Sequence, residues 1–242
     1  MKFVAFGVCR PNLAGRIDWI DKSTMWWKIL IFVVMSAMII ASFLTPAPQQ
    51  QIGEASRIFY YHIPQAWVCV IAFAMSMVFS IRYLSRKAIV EDDRASVAAG
   101  LGFLFCFLAT ITGATFAKVT WGSFWNWDPR ETSIFVLLLI YAAYFALRNA
   151  VEEEDKRASL SAVYSIFAFL TVPFLVFIVP RVMPSLHPSD SVVDEKLHFT
   201  MGATVGTIFG VSLALFSALY LWLFNVALRI KRIERARLER SH

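Results

Sequence analysis

The chain has 242 residues, 58% hydrophobic and 15% aromatic, with 23 Lys and Arg against 17 Asp and Glu for a formal net charge of +6. A mean hydropathy of +0.61 excludes a soluble globular domain of this length and predicts an all-α, polytopic membrane protein. The positive charge does not imply nucleic acid: its densest run, Arg229 to Arg240, directly follows an apolar stretch, and attraction to membrane lipid headgroups accounts for it.

Residues 1–28 carry charges throughout and lack an apolar run ending at a small-residue cleavage site, so they are not read as a cleaved leader. Six segments then approach or exceed the roughly 20 apolar residues that cross a bilayer as a helix. They are 29–44, 63–81, 97–117, 132–147, 160–179 and 199–228, and they predict a single integral membrane domain over 1–242 with six transmembrane helices. The first and fourth are short, and Trp26 and Trp27 before one and Trp125 and Trp127 before the other extend them into the interface.

Six spans put both termini on one side. The termini and the second and fourth connections hold 18 Lys and Arg, whereas the other connections hold only Arg57, Lys118, Arg130, Arg181 and Lys196. The N- and C-termini are therefore expected to be cytoplasmic, with the connections 45–62, 118–131 and 180–198 together on the outer face. The run from Glu152 to Arg157 is expected to be a solvated turn between spans.

The second outer connection carries Trp121-Gly-Ser-Phe-Trp-Asn-Trp-Asp128, three tryptophans and a carboxylate within eight residues. Isolated pairs such as Trp26-Trp27, and Trp67 one turn into the second span, read as interfacial anchors. An anchoring belt does not call for Gly122, Asn126, Asp128, Pro129 and Arg130 set so closely among Trp121, Trp125 and Trp127, which together suit a broad platform for a planar ligand or a partner protein. Asp128 and Pro129 also fit the cap and first turn of the fourth helix, a role compatible with ligand binding.

Three of the four histidines fall on the same outer face: His62 at the mouth of the second span, His187 within the third connection, and His198, which reads as a helix-end residue beside Lys196. His62 and His187 flank the aromatic stretch in chain order. A flat macrocycle resting on the tryptophans would receive an axial imidazole from each, and porphyrin heme suits this better than a bare zinc ion, for which no clustered Cys or paired His is available. Arg57, Arg130 and Arg181 are candidate partners for its propionates. The cysteines, Cys9, Cys69 and Cys106, form no Cys-x-x-Cys, so covalent heme attachment or dithiol exchange by the chain itself is not expected.

The segment from Trp121 to Ser133 resembles the tryptophan-rich "WWD" signature of the heme-handling proteins of cytochrome c biogenesis. The run from Tyr61 to Trp67, the run from Ser185 to Pro188, the length and the six spans are similar to the cytochrome c maturation protein C, or heme exporter protein C, family. The resemblance implies non-covalent heme b with His62 and His187 as axial iron ligands. It places Trp121, Trp125, Trp127 and Asp128 in the motif that holds the porphyrin, with Gly122 and Arg130 set among them as further binding candidates. It implies a bacterial inner membrane protein with its heme site on the periplasmic face, a binding and delivery module with no chemical step of its own. The implied partners are a membrane-anchored periplasmic heme chaperone, the ATP-binding subunit and second membrane subunit of an ABC-type complex, and a small single-span helper. The chain has no Gly-x-x-x-x-Gly-Lys-Ser/Thr loop, consistent with an external ATPase. Two alternatives stay open. The ending Asp128-Pro-Arg-Glu-Thr132 is closer to the cytochrome c synthase branch, although that branch uses additional membrane-embedded histidines; a transmembrane heme channel would call for charges within spans that are here nearly free of them.

Overall fold

A computed structural model describes residues 25–49, 52–187 and 201–241. Among these the regular structure is all helical: α1 (Trp26–Leu44), a 3-10 turn (Gly53–Ile58) leading into α2 (Phe59–Arg86), α3 (Ile89–Trp121), α4 (Pro129–Ala150), α5 (Glu154–Pro173), a π-turn (Phe174–Ile178) continuing into α6 (Val179–Val182), and α7 (Ala203–Ser241). Six helical runs are long and apolar enough to cross a membrane, the fifth of them extending from Glu154 through the π-turn to Val182.

The helices overrun the apolar segments because their polar end turns pair with one another. At one end Arg148 binds Asp92 through two hydrogen bonds of 2.7 and 2.8 Å. Arg235 binds Asp93 at 2.5 and 2.7 Å and Glu154 at 2.6 Å. Two sequence expectations change here. Residues 152–156 are exposed, as a solvated stretch should be, but Glu154 and Asp155 already belong to the first turn of α5, and Arg235 ties α7 to α3 and α5 instead of standing free toward headgroups. Helix α7 starts at Ala203, four residues after the apolar segment does; Lys196, His198, His242 and Cys9 lie outside the described residues.

Interhelical packing in lipid relies on close approach and on polar contacts more than on apolar transfer. The core joins Val68, Cys69, Ala72 and Phe73 of α2, Ala98, Ala99, Phe105 and Cys106 of α3, and Leu137, Tyr141 and Tyr144 of α4. Phe73 stacks on Tyr141 with ring centroids 3.5 Å apart. A Cβ at Gly102 would stand 2.6 Å from the Phe73 ring, so the missing side chain sets how tightly α2 and α3 approach. Ser76 and Ser165 join α2 to α5 at 3.0 Å. Helix α1 is peripheral. It meets α7 through Trp27 and Trp222, edge to face at 5.6 Å, and α2 through Ser42 and Tyr61 at 2.6 Å, leaving Phe32, Ile40 and Phe43 more than half exposed.

At the opposite end, the end of α1, the start of α2, the end of α3, the start of α4 and residues 183–187 converge, as the contacts Arg57 to the Thr45 carbonyl, His62 to Thr112 and Asp128 to Ser185 show.

Candidate functional site

The tryptophan-rich connection has a conformation of its own. Helix α3 ends on Gly122 in the left-handed region (φ 83°), where the Gly122 N–H closes the last turn on the Lys118 carbonyl at 3.1 Å. Trp127, a residue with a full side chain, also has a positive φ of 56°, a geometry costing about 1–3 kcal/mol that persists only when its surroundings dictate it. Here the start of α4 dictates it. Glu131 accepts the N–H groups of Asn126 (2.7 Å) and Asp128 (3.4 Å), Asp128 accepts that of Arg130 (2.9 Å), and Pro129 opens the helix.

Asp128 is 4% exposed and saturated with donors. Besides Arg130 it accepts the Ser185 hydroxyl (2.9 and 3.1 Å) and the Leu186 N–H (2.7 Å), and it meets His187 Nδ1 at 3.0 Å. Burial alone would raise its pKa, but the N–H groups of Arg130 and Leu186, the Ser185 hydroxyl and His187 together hold the carboxyl below the ordinary value of 3.8. An ionised carboxylate only accepts, so His187 donates from Nδ1 and keeps the lone pair on Nε2. Burial is also the main influence on His187, pulling it below 6.5; Asp128 opposes this and Arg130 adds to it. The imidazole is therefore neutral near pH 7, the state that binds metal.

His62, in the first turn of α2, meets its counterpart condition on α3. Its Nδ1 lies 3.0 Å from the Thr112 hydroxyl, whose own hydrogen goes to the carbonyl of Leu108 or Ala109 at 2.9 or 3.1 Å. Thr112 thus accepts from Nδ1–H, which leaves the lone pair of His62 on Nε2. Gly113 makes room for the ring: a Cβ there would sit 3.0 Å from His62 Cε1.

Both imidazoles line one cavity of about 290 Å³, together with Trp125, Arg130, Arg181 and, deeper, Val70 and Val176. The tryptophans divide their work. Trp125 lines the cavity, Trp121 packs edge-on against the His187 ring at 4.7 Å, and Trp127 is 72% exposed. Gly122 shapes the backbone and leaves open space where a side chain would stand. Arg130 has a buried Nε without a partner among the described residues, an unmet donor beside the cavity, and Arg181 uses one N–H on the Phe177 carbonyl at 3.0 Å. Arg57 is occupied elsewhere, clamped on Glu54 and on the carbonyls of Ser42 and Thr45 at the end of α1. No cluster of three His, Cys, Asp or Glu suited to a bare metal ion occurs among the described residues. The unmet Arg130 donor and the two imidazole Nε2 lone pairs suit an iron macrocycle bearing carboxylates.

Sequence reasoning missed Thr112, Gly113, Glu131 and Ser185. Ser185, two residues before His187, carried a faint signal, since Ser and Asp side chains recur where loops are tied to helix starts. Thr112 and Gly113 carried none, being ordinary residues of an apolar span.

Residues 11–242 match the family described as Heme exporter protein C. Proteins named heme exporter protein C from Bradyrhizobium diazoefficiens, Paracoccus denitrificans and Rhodobacter capsulatus are 30, 38 and 32% identical over 63, 53 and 65% of the chain. The matched segments span 57, 55 and 64% of those relatives' own lengths. With nearly its whole length matched and its paired imidazoles gathered at one end of six membrane-length helices, the chain belongs to the heme exporter protein C family.

Proposed function

We propose that this protein handles heme in cytochrome c biogenesis, holding heme b non-covalently between His62 and His187 and releasing it to a partner. The observation that carries the reading is that each imidazole has its Nδ1 engaged, on Thr112 and on Asp128, while both rings line one cavity. Arg130 and Arg181 line the same cavity and supply cations for propionates, Trp125 lines it with them, and Trp121 packs against the His187 ring. The cavity lies at the low end of the volumes that enclose a drug-sized ligand. A porphyrin is therefore only partly enclosed, which suits a cargo that must leave.

The distribution of Lys and Arg favours termini in the cytoplasm and the site on the periplasmic face of a bacterial inner membrane. The exposed Trp127 and Phe124 beside the site suit capture by a membrane-anchored heme chaperone. The lack of a phosphate-binding loop in the sequence suits an ABC-type assembly whose ATP-binding subunit, second membrane subunit and single-span helper are separate chains. In this reading the protein is a carrier and catalyses no bond change. The test is the spectrum of purified protein: a low-spin bis-imidazole heme is expected, lost or converted to a single-imidazole form in His62→Ala and His187→Ala. An unaltered heme spectrum in both variants would overturn the ligand assignment.

A further inference from the structure

The cavity is eccentric. On α2 it is lined by His62, Ile63, Ala66, Trp67 and Val70, and at about 100° per residue this strip lies between two faces. One is the core face, where Cys69 and Phe73 are fully buried; the other is the outward face, where Trp67 and Ile71 are 42 and 41% exposed. The cavity thus borders an exposed apolar face of a membrane-length helix. It is also deep: from His62 to Val70 the lining descends eight residues, about 12 Å of helix, and its lower walls, Val70, Ile134 and Val176, are apolar.

Across from this strip stands the π-turn. Helix α5 packs on α2 lower down, at Ser76 and Ser165; beyond Pro173 the chain widens into the π-turn, which packs on α4. Trp67 and Phe177 bridge from α2 to the π-turn with ring centroids 5.9 Å apart, and both rings line the cavity. Pro180 has no N–H to give the Val176 carbonyl, so Phe177 is carried on backbone whose hydrogen-bond ladder is already interrupted. Such a ring can swing aside without breaking regular helix.

We propose that Trp67 and Phe177 form the door of a lateral portal through which heme enters the His62–His187 cavity directly from the bilayer. This rests on the heme reading above and adds the route. A lipophilic tetrapyrrole dissolved in the membrane advances its apolar edge between α2 and the π-turn toward Val70 and Val176. Its carboxylates remain level with Arg130 and Arg181, and hydrated groups never cross the apolar floor.

The test uses the full chain in lipid nanodiscs, with Cys9→Ser and with Trp67→Cys and Phe177→Cys joined by a short bis-maleimide; Cys69 and Cys106 are fully buried. Heme is supplied either dissolved in vesicles or as an aqueous imidazole complex. Closing the door is expected to slow loading from vesicles by an order of magnitude. Loading from water through the outer mouth should match that of the same double variant before cross-linking, and protein loaded before cross-linking should keep its spectrum. Trp67→Ala, which needs no cross-link, is expected to speed loading from vesicles. Unchanged vesicle loading in either variant overturns the portal. Failure of the uncross-linked parent to take up heme from both sources overturns the heme reading itself, a different result.

Discussion

His187 Nδ1 and Asp128 Oδ1 lie 3.0 Å apart, so the residue that caps α4 also fixes the tautomer of an imidazole 59 positions later in the chain. One carboxylate thereby couples the tryptophan-rich connection to the third connection. Asp128→Asn should leave the helix cap largely intact, because Asn caps about as well as Asp, while removing the anion that orients and enriches the imidazole. Loss of such a carboxylate typically costs about 10–100-fold in metal affinity. The expected outcome is faster heme loss and a more positive heme midpoint potential, since a poorer donor stabilises ferric iron less. Redox titration and transfer to apomyoglobin measure the two. A variant that unfolds more readily but binds heme at the parent potential would assign Asp128 to the cap alone.

Gly113 faces His62 so closely that a Cβ would stand 3.0 Å from the ring. On propensity alone, replacing a mid-helix glycine should stabilise α3 by about 0.5–1 kcal/mol. Gly113→Ala obliges the imidazole to shift by a few tenths of an ångström, and Gly113→Val by more. Stability and binding should therefore separate: thermal unfolding held or raised, and the His62 contribution to the spectrum weakened in Ala and lost in Val. Parallel loss of both quantities would show that Gly113 serves helix packing and not the imidazole.

The far end of the bundle makes the contrasting case. Asp92 is 2% exposed and takes two hydrogen bonds from Arg148. Arg148→Ala leaves that carboxylate buried and unpaired, which typically costs about 3–5 kcal/mol, and should lower the midpoint of thermal unfolding in detergent with the heme spectrum of the folded fraction unchanged. Replacing both partners by Leu should recover much of the loss. If the double variant is no better than Arg148→Ala alone, the pair contributes something other than charge balance.

These residues also show what the sequence discloses. Six apolar runs announce six helices, but Arg148 reads as a connection charge and Arg235 as part of a headgroup-facing tail, because their partners, Asp92 and Asp93, lie more than 50 positions away and only the folded bundle joins them. His62 and His187 stand out because they flank the tryptophan-rich connection in chain order. The three tryptophans read as one shelf, yet the left-handed turn at Trp127 sends that side chain outward while Trp125 turns to the cavity. No composition rule encodes such a turn, since it follows from the capping of α4. Thr112 and Gly113 gain their meaning from the ring that rests on them.

Acidification should act on the folded protein through His187. Its folded-state pKa is depressed, chiefly by burial and further by Arg130, against the partial opposition of Asp128. Between the ordinary value of 6.5 and the depressed one, the unfolded chain binds more protons than the native state, so stability rises with pH through that window. The contribution is complete above 6.5 and declines as the pH falls toward the folded-state value. Asp128 acts separately and lower: its own depressed pKa gives stability that is present above its ordinary value of 3.8 and lost as the pH falls through the folded one. Unfolding midpoints of heme-free protein from pH 7.5 to 5 should therefore drop more steeply for the parent than for His187→Gln, which keeps a polar side chain but cannot titrate. Curves that run parallel over this range would mean that protonation of His187 does not distinguish the native from the unfolded state, and would remove burial as the reason this ring is neutral at neutral pH.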